Sequence, residues 1–162
     1  MGFAAQGFDR AAPYRRTPAS FSGRAAWIFD GVEAADVIGD YGVGRGAAGQ
    51  EIDRFDERLG SPRHAVILAY SDEHSLEMLR TKEELLATRP VVADPRIRAD
   101  MVFFETPSGG AVFSVGSIAW YGALAHQGGD NDIARITTNV LDRFADPEPF
   151  RYDGDRSGPV TS

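Results

Sequence analysis

The fold of this chain is decided by residues 101–115, which read Met101-Val102-Phe103-Phe104-Glu105-Thr106-Pro107-Ser108-Gly109-Gly110-Ala111-Val112-Phe113-Ser114-Val115. Two runs rich in aromatic and β-branched residues flank a turn that contains one proline and two glycines. Such runs favour strands, and glycine permits the positive backbone angles that a tight turn requires. The stretch therefore predicts a β-hairpin.

Apolar runs that precede the hairpin predict the neighbouring elements. Residues 64–70 are continuously apolar after His64, which is typical of a parallel strand covered on both faces. Ser71 or Asp72 can then cap a helix that runs to about Thr88. A shorter strand is predicted at residues 25–29. The glycine-rich residues 36–49 predict a loop that leaves room for one short strand at residues 36–38.

The C-terminal third predicts a final helix. Asp130 or Asn131 can cap it, and its apolar residues fall on one face: Ile133, Ile136, Val140, Leu141 and Phe144. The order strand, loop, strand, helix, hairpin, helix indicates an α/β fold, with a mixed sheet and flanking helices. Residues 1–22 show no clear period, and no apolar pattern follows Pro147. We therefore expect one domain over residues 1–147 and a disordered tail over 148–162.

Composition limits the class of protein. The 162 residues are 43% hydrophobic, which suits one globular domain, and the net charge of −7 argues against nucleic-acid binding. The absence of cysteine excludes disulfides and thiolate metal sites. Four glycines interrupt the apolar stretch 109–126, so we expect no membrane span. The N-terminus shows no secretory signal, which predicts a cytoplasmic protein.

A glycine-rich segment carries the first candidate site. Residues 44–49 spell G-x-G-x-x-G, but a dinucleotide fingerprint needs a preceding strand and a helix that opens from the loop. Because the preceding strand is weak and the following segment is short and charged, we favour a loop that brings Glu51 and Asp53 to a cleft. One of these carboxylates could act as a general base. The alternative is a solvated charged turn.

The remaining ionisable residues show weaker patterns. The three histidines, His64, His74 and His126, share no metal-ligand spacing, which favours structural or solvent-facing roles. Glu105 ends the first strand of the hairpin, and carboxylates at strand ends often line sites in open sheets. An ordinary charge on an edge strand is the alternative for Glu105.

Three segments together resemble a known family. They are residues 29–42, which include Phe29-Asp30-Gly31-Val32 and Ile38-Gly39-Asp40-Tyr41-Gly42, then Gly46-Ala47-Ala48-Gly49-Gln50-Glu51-Ile52-Asp53-Arg54, and then residues 103–118. In this order and spacing they resemble the C-terminal end of the large (beta) subunit of N,N-dimethylformamidase. The likeness extends from Met1 to about Phe144.

The resemblance implies an activity and partners that composition does not. The family hydrolyses an amide C–N bond to an amine and formate, and its large subunit pairs with a small one. This end of the subunit resembles a class I glutamine-amidotransferase-like domain without the cysteine nucleophile. The family's iron is held by two tyrosines and a glutamate, which we expect upstream of the region matching Met1. Tyr41 or Tyr121 could supply a phenolate here, although their spacing does not argue for it.

By the same resemblance, Glu51 matches the family's glutamate that orients or deprotonates water. We expect a site around Glu51 with pocket walls from Gly46, Gly49, Asp53 and Glu105, completed by the upstream region, other subunits or a second copy. The substrate would be a small amide. A non-catalytic structural or assembly module, or a truncated gene product, is the alternative, and dinucleotide binding through residues 44–49 is a third.

Overall fold

Two antiparallel sheets form the framework of the protein. The computed structural model describes residues 3–82, 85–86 and 94–152. One sheet has the order β4-β1-β6-β7 and the other the order β3-β2-β5-β8-β9. The strands are β1 (Phe3–Ala12), β2 (Tyr14–Arg16), β3 (Val37–Ile38), β4 (Ala48–Arg54), β5 (Val66–Ser71), β6 (Leu79–Lys82), β7 (Leu85–Leu86), β8 (Ala99–Glu105) and β9 (Ala111–Ser114).

The hairpin predicted at residues 101–115 is confirmed as β8 and β9, with Phe103 opposite Phe113. The strand predicted at residues 64–70 is confirmed as β5, and the short strand that the sequence allowed within the loop at residues 36–38 is present as β3. However, β5 pairs antiparallel with β8 and with β2. The fold combines helices and strands, as expected. The expectation of a mixed sheet is wrong, because every described strand pairing is antiparallel.

Two further segments differ from the sequence predictions. Residues 26–29 form a 3₁₀ turn, not a strand, and this turn buries Ile28 and Phe29. The helix expected after Ser71 is absent from the described part of that segment. Leu79 instead pairs with Gln6 of β1, because a free strand edge outweighs helix propensity there. The end of that predicted helix, residues 87–88, lies outside the described residues.

The strand β1 was not predicted, and it organises the first sheet. It pairs with β4 along most of its length, with a register shift between Gly7 and Ala12. Pro13 then interrupts the ladder, since proline has no N–H to donate. After Pro13 the chain continues as β2 in the second sheet, so the two sheets are joined at this residue.

The final helix is confirmed as α2 (Asp132–Ala145), and a four-residue helix, α1 (Tyr121–Leu124), precedes it. Asn131 caps α2 by accepting a hydrogen bond from the amide of Ala134 at 2.8 Å. The predicted apolar face is only partly buried: three residues enter the core, whereas two others are 63% and 40% exposed. The buried three are Ile133, Ile136 and Val140, and the exposed two are Leu141 and Phe144.

The segment after Pro147 contributes to packing. Phe150 lies within 6.2 Å of the Trp27 ring, 5.8 Å of the Phe103 ring and 5.4 Å of the Phe144 ring, measured between centroids. The predicted tail therefore includes a residue that covers the core, while residues 153–162 lie outside the described residues. No helix in the described part of the chain is long and apolar enough to cross a membrane.

Candidate functional site

The strand β4 places two carboxylates side by side. Successive side chains of a strand point to opposite faces, so residues two apart share a face. Ile52 is buried in the core, whereas Glu51 and Asp53 are both exposed. A solvated charged turn was the alternative interpretation of this segment. The segment is instead a strand, and it presents two carboxylates to solvent.

A network of backbone hydrogen bonds holds this part of β4. The amide of Asp53 donates to the carbonyl of Gly116 at 2.8 Å, and the amide of Ile118 donates to the carbonyl of Glu51 at 3.2 Å. The hydroxyl of Ser117 accepts from the amide of Gly49 and donates to the carbonyl of Gly49. The backbone that carries Glu51 is therefore fixed against residues 116–118.

The carboxylate of Glu51 is available to a ligand. Within the described residues, no hydrogen bond or ion pair reaches it. Partial desolvation raises the pKa of Asp53 above its ordinary value, and the negative charge of Glu51 raises it further. Two like charges on one face attract a cation or a proton donor.

The glycines proposed as pocket walls are used for packing. A Cβ atom at Gly46 would lie 2.5 Å from the backbone C and O of Ala12, and one at Gly49 would lie 2.8 Å from the Cβ of Ala11. Both glycines are buried. They allow the chain to approach β1 closely. Because a strand, β4, follows this segment where a helix would be needed, the dinucleotide fingerprint lacks its structural context.

Glu105 is occupied by an ion pair. Its side chain is buried, and its Oε1 lies 3.2 Å from the Nε of Arg24. The carbonyl of Glu105 lies 2.9 Å from the Nε2 of His64. This arrangement neutralises a buried carboxylate and holds the end of β8, which is a structural role. The structure does not bring Glu105 into a common hydrogen-bond network with Glu51.

A cleft that the sequence did not reveal, which we call the Tyr41 cleft, lies beside the start of α2. It has a volume of about 610 Å³, and Tyr41, His126 and Asp132 are among its lining residues. The rings of Tyr41 and His126 stack, with centroids 4.1 Å apart. The Tyr41 hydroxyl donates to Asp132. Because Tyr41 and Asp132 are 91 positions apart, no local spacing signals this contact.

The comparison with known sequences decides the family. A sequence profile described as N,N-dimethylformamidase beta subunit-like, C-terminal, matches residues 1–133. The chain belongs to this family. It is 40% identical to the N,N-dimethylformamidase beta subunit of Paracoccus aminophilus over 152 residues, which are 91% of the chain and 20% of that relative. It is 38% identical to the beta subunit of an Alcaligenes species over the same shares of both chains. The chain thus spans about one fifth of the length of these relatives.

The described residues of this beta subunit-like chain contain no group of three or more His, Cys, Asp or Glu residues that could hold a metal ion. Desolvation and the hydrogen bond to Asp132 raise the pKa of Tyr41, which keeps its hydroxyl protonated in this structure. Burial raises the pKa of Tyr14 in the same way. Tyr121 is 66% exposed.

Proposed function

We propose that this chain supplies the C-terminal part of an N,N-dimethylformamidase-like amide hydrolase, which converts an amide and water to an amine and formate. The observation that supports the proposal is Glu51: an exposed carboxylate without a partner among the described residues, on a strand whose backbone is held by residues 116–118. Membership of the family supports the substrate class.

The Glu51 carboxylate has the chemistry that water attack on an amide requires. It would accept a proton from water while the water oxygen forms a bond to the carbonyl carbon. When the C–N bond breaks, the same carboxyl group would return that proton to the departing nitrogen, so the group ends the cycle in its starting state. Asp53 lies on the same strand face and would favour a cation or a proton donor opposite it.

Three further statements belong to the proposal. The family's iron would be held by residues outside the described part of this chain, and other subunits or the upstream region of the beta subunit would complete the site. The complete domain would have a class I glutamine-amidotransferase-like fold. The protein would act in the cytoplasm. An experimental structure of the longer subunit tests the first two of these statements.

A chimera tests the role of Glu51. This chain replaces the matched fifth of the Paracoccus aminophilus beta subunit, which is produced with its natural partners, and formate release from N,N-dimethylformamide is measured. Because a general base contributes about 10²-fold to 10⁴-fold to a rate, Glu51→Gln should lower kcat by at least about 100-fold. Glu57→Gln is the matched control, since Glu57 is an exposed glutamate paired with Arg63 at 3.7 Å.

The outcomes separate the two classes of function. Loss of activity in Glu51→Gln alone, with unchanged melting temperature, supports the catalytic role. An active chimera in which Glu51→Gln keeps full turnover contradicts it, and the chain is then a structural or assembly module. Formate release by the iron-loaded chain without any partner would instead place a complete site within these 162 residues.

A further inference from the structure

An exposed apolar surface lies next to Glu51. Val43 is 85% exposed, Tyr121 is 66% exposed and Ile118 is 48% exposed. We call these three residues and the groove beside them the Val43 surface. Val43 is the most exposed large hydrophobic side chain among the described residues. Val43 and Tyr121 line one groove, and exposed apolar side chains grouped in this way mark an interaction site.

The groove of the Val43 surface is a built feature and not a loose loop. It has a volume of about 190 Å³, and Val43, Tyr121 and Gln50 are among its lining residues. A Cβ at Gly122 would lie 3.3 Å from the Cγ2 of Val43, and one at Gly42 would lie 3.2 Å from the backbone of Ala123. The two segments that form the surface are therefore packed directly against each other, which fixes its shape before any partner binds.

The surface is continuous with the candidate catalytic strand. Gln50, which lines the groove, directly precedes Glu51. Ile118 belongs to the surface, and its amide donates to the carbonyl of Glu51. A partner that covers Val43 and Tyr121 would consequently reach the edge of the site where Glu51 and Asp53 are exposed.

We propose that the Val43 surface is the docking site for the part of the family's beta subunit that lies outside this chain. The proposal rests on the proposed function. The relatives are about five times as long as the region they share with this chain, so a large polypeptide accompanies the equivalent domain in them. The expected segment is apolar where it meets Val43 and Tyr121, and it carries positive charge opposite Glu51 and Asp53.

A second copy of the chain fits the surface less well. A two-fold interface places the same patch of each copy against the other. A residue meets its own counterpart only near that axis, and an axis beside β4 would bring the Glu51 and Asp53 pairs of the two copies together. Four carboxylates without a cation between them would repel each other, whereas a heterologous segment can supply the opposite charge.

Single cysteines measure whether the surface is covered. The chain has no cysteine of its own, so Val43→Cys, Tyr121→Cys and Leu141→Cys each introduce one thiol. Leu141 is the control, because it is 63% exposed on α2. In the isolated chain all three thiols should react with a maleimide at similar rates. In the chimera, thiols 43 and 121 should react at least about tenfold more slowly, since an interface core excludes water, while thiol 141 should keep its rate.

Each result decides for or against the docking site. Equal rates at all three positions in a chimera that melts cooperatively overturn it. Slow, concentration-dependent labelling of thiols 43 and 121 in the isolated chain also overturns it, because a second copy is then the occupant. The Glu51→Gln chimera should show the same protection. Protection without any effect of Glu51→Gln on turnover would leave the docking site standing and remove the proposed function.

A second measurement covers the case in which the chimera does not fold. The tagged chain is co-expressed with the Paracoccus aminophilus beta subunit that lacks its matched fifth. Co-purification that Val43→Asp abolishes and Leu141→Asp leaves unchanged supports the docking site. Failure to co-purify, or co-purification that neither substitution affects, overturns it.

Discussion

Gly116 occupies a position at which only glycine fits. Its φ is +64°, and a Cβ would lie 2.7 Å from the carbonyl oxygens of both Asp53 and Asp100. These oxygens belong to β4 and β8, so Gly116 lies where the two sheets meet. The neighbouring Val115 accepts a hydrogen bond from the buried Tyr14 hydroxyl at 2.7 Å. The backbone that supports Glu51 thus depends on close packing at a single residue.

We expect Gly116→Ala to lower the free energy of unfolding by about 2–4 kcal/mol, because backbone strain adds to overpacking. Gly60→Ala is the matched control, since Gly60 also has a positive φ, +96°, but nothing lies within 4 Å of its added Cβ. It should cost only the strain of about 1–2 kcal/mol. Urea unfolding measures both values. Equal losses for the two substitutions would contradict the packing role of Gly116.

At the scale of the element, the start of α2 connects distant parts of the chain. The Asn131 Oδ1 accepts from the amide of Ala134 and lies 3.0 Å from the Tyr41 hydroxyl, whose proton is donated to Asp132. Its amide nitrogen donates to the carbonyls of Leu124 and His126. One cap residue therefore joins the helix, the loop before it and the wall of the Tyr41 cleft.

Asn131→Ala should lower the free energy of unfolding by about 2 kcal/mol or more, because the loss of a cap costs about 1 kcal/mol and the two carbonyls also lose their donor. Asn131→Asp retains the cap acceptor and should lose less. Thermal unfolding followed by far-ultraviolet circular dichroism compares the two variants. The argument for the cap role fails if Asn131→Asp is as unstable as Asn131→Ala, and the argument for the donor role fails if Asn131→Asp is as stable as the parent.

For the whole molecule, a buried carboxylate makes stability depend on pH. Asp100 is 2% exposed and accepts hydrogen bonds from the amide of Phe55 and from Arg98. Desolvation raises its pKa above the ordinary 3.8, despite the attraction of Arg98. Because the folded state holds this proton more tightly than the unfolded state, the contribution of Asp100 to stability is greatest below pH 3.8 and is lost as the pH rises through the folded pKa.

The difference in unfolding free energy between the parent and Asp100→Asn should therefore fall as the pH is raised from about 4 to about 6. Asp94→Asn is the control, because its effect on the unfolding free energy should change with pH in the opposite direction. Hydrogen bonds from Arg96 lower the pKa of Asp94, so its contribution is present above pH 3.8 and is lost as the pH falls. Urea unfolding from about pH 2 to about pH 6 measures both slopes, and slopes of the same sign would contradict the assignment.

Local sequence patterns were enough to predict several parts of this structure. The 101–115 hairpin and the α2 helix carry their own turn, cap and periodicity signals, and these interactions join residues close in sequence. The sequence allowed Asp130 or Asn131 as the cap of α2, and the structure shows that it is Asn131. The order of residue types also indicated the family, which the profile match over residues 1–133 confirms. Glu51 was singled out in the same way, and its catalytic role stays a prediction.

Only the tertiary structure decided how the elements pair. β1 lacks a periodic signal and becomes a strand because β4 and β6 supply hydrogen-bond partners on its two sides. The predicted helix after Ser71 gives way to β6 for the same reason. The Tyr41 cleft and the Val43 surface each join segments about 75 to 90 residues apart. The energy of strand pairing depends on which distant segment the fold places beside a strand. The spacing of residues along the chain does not determine that segment.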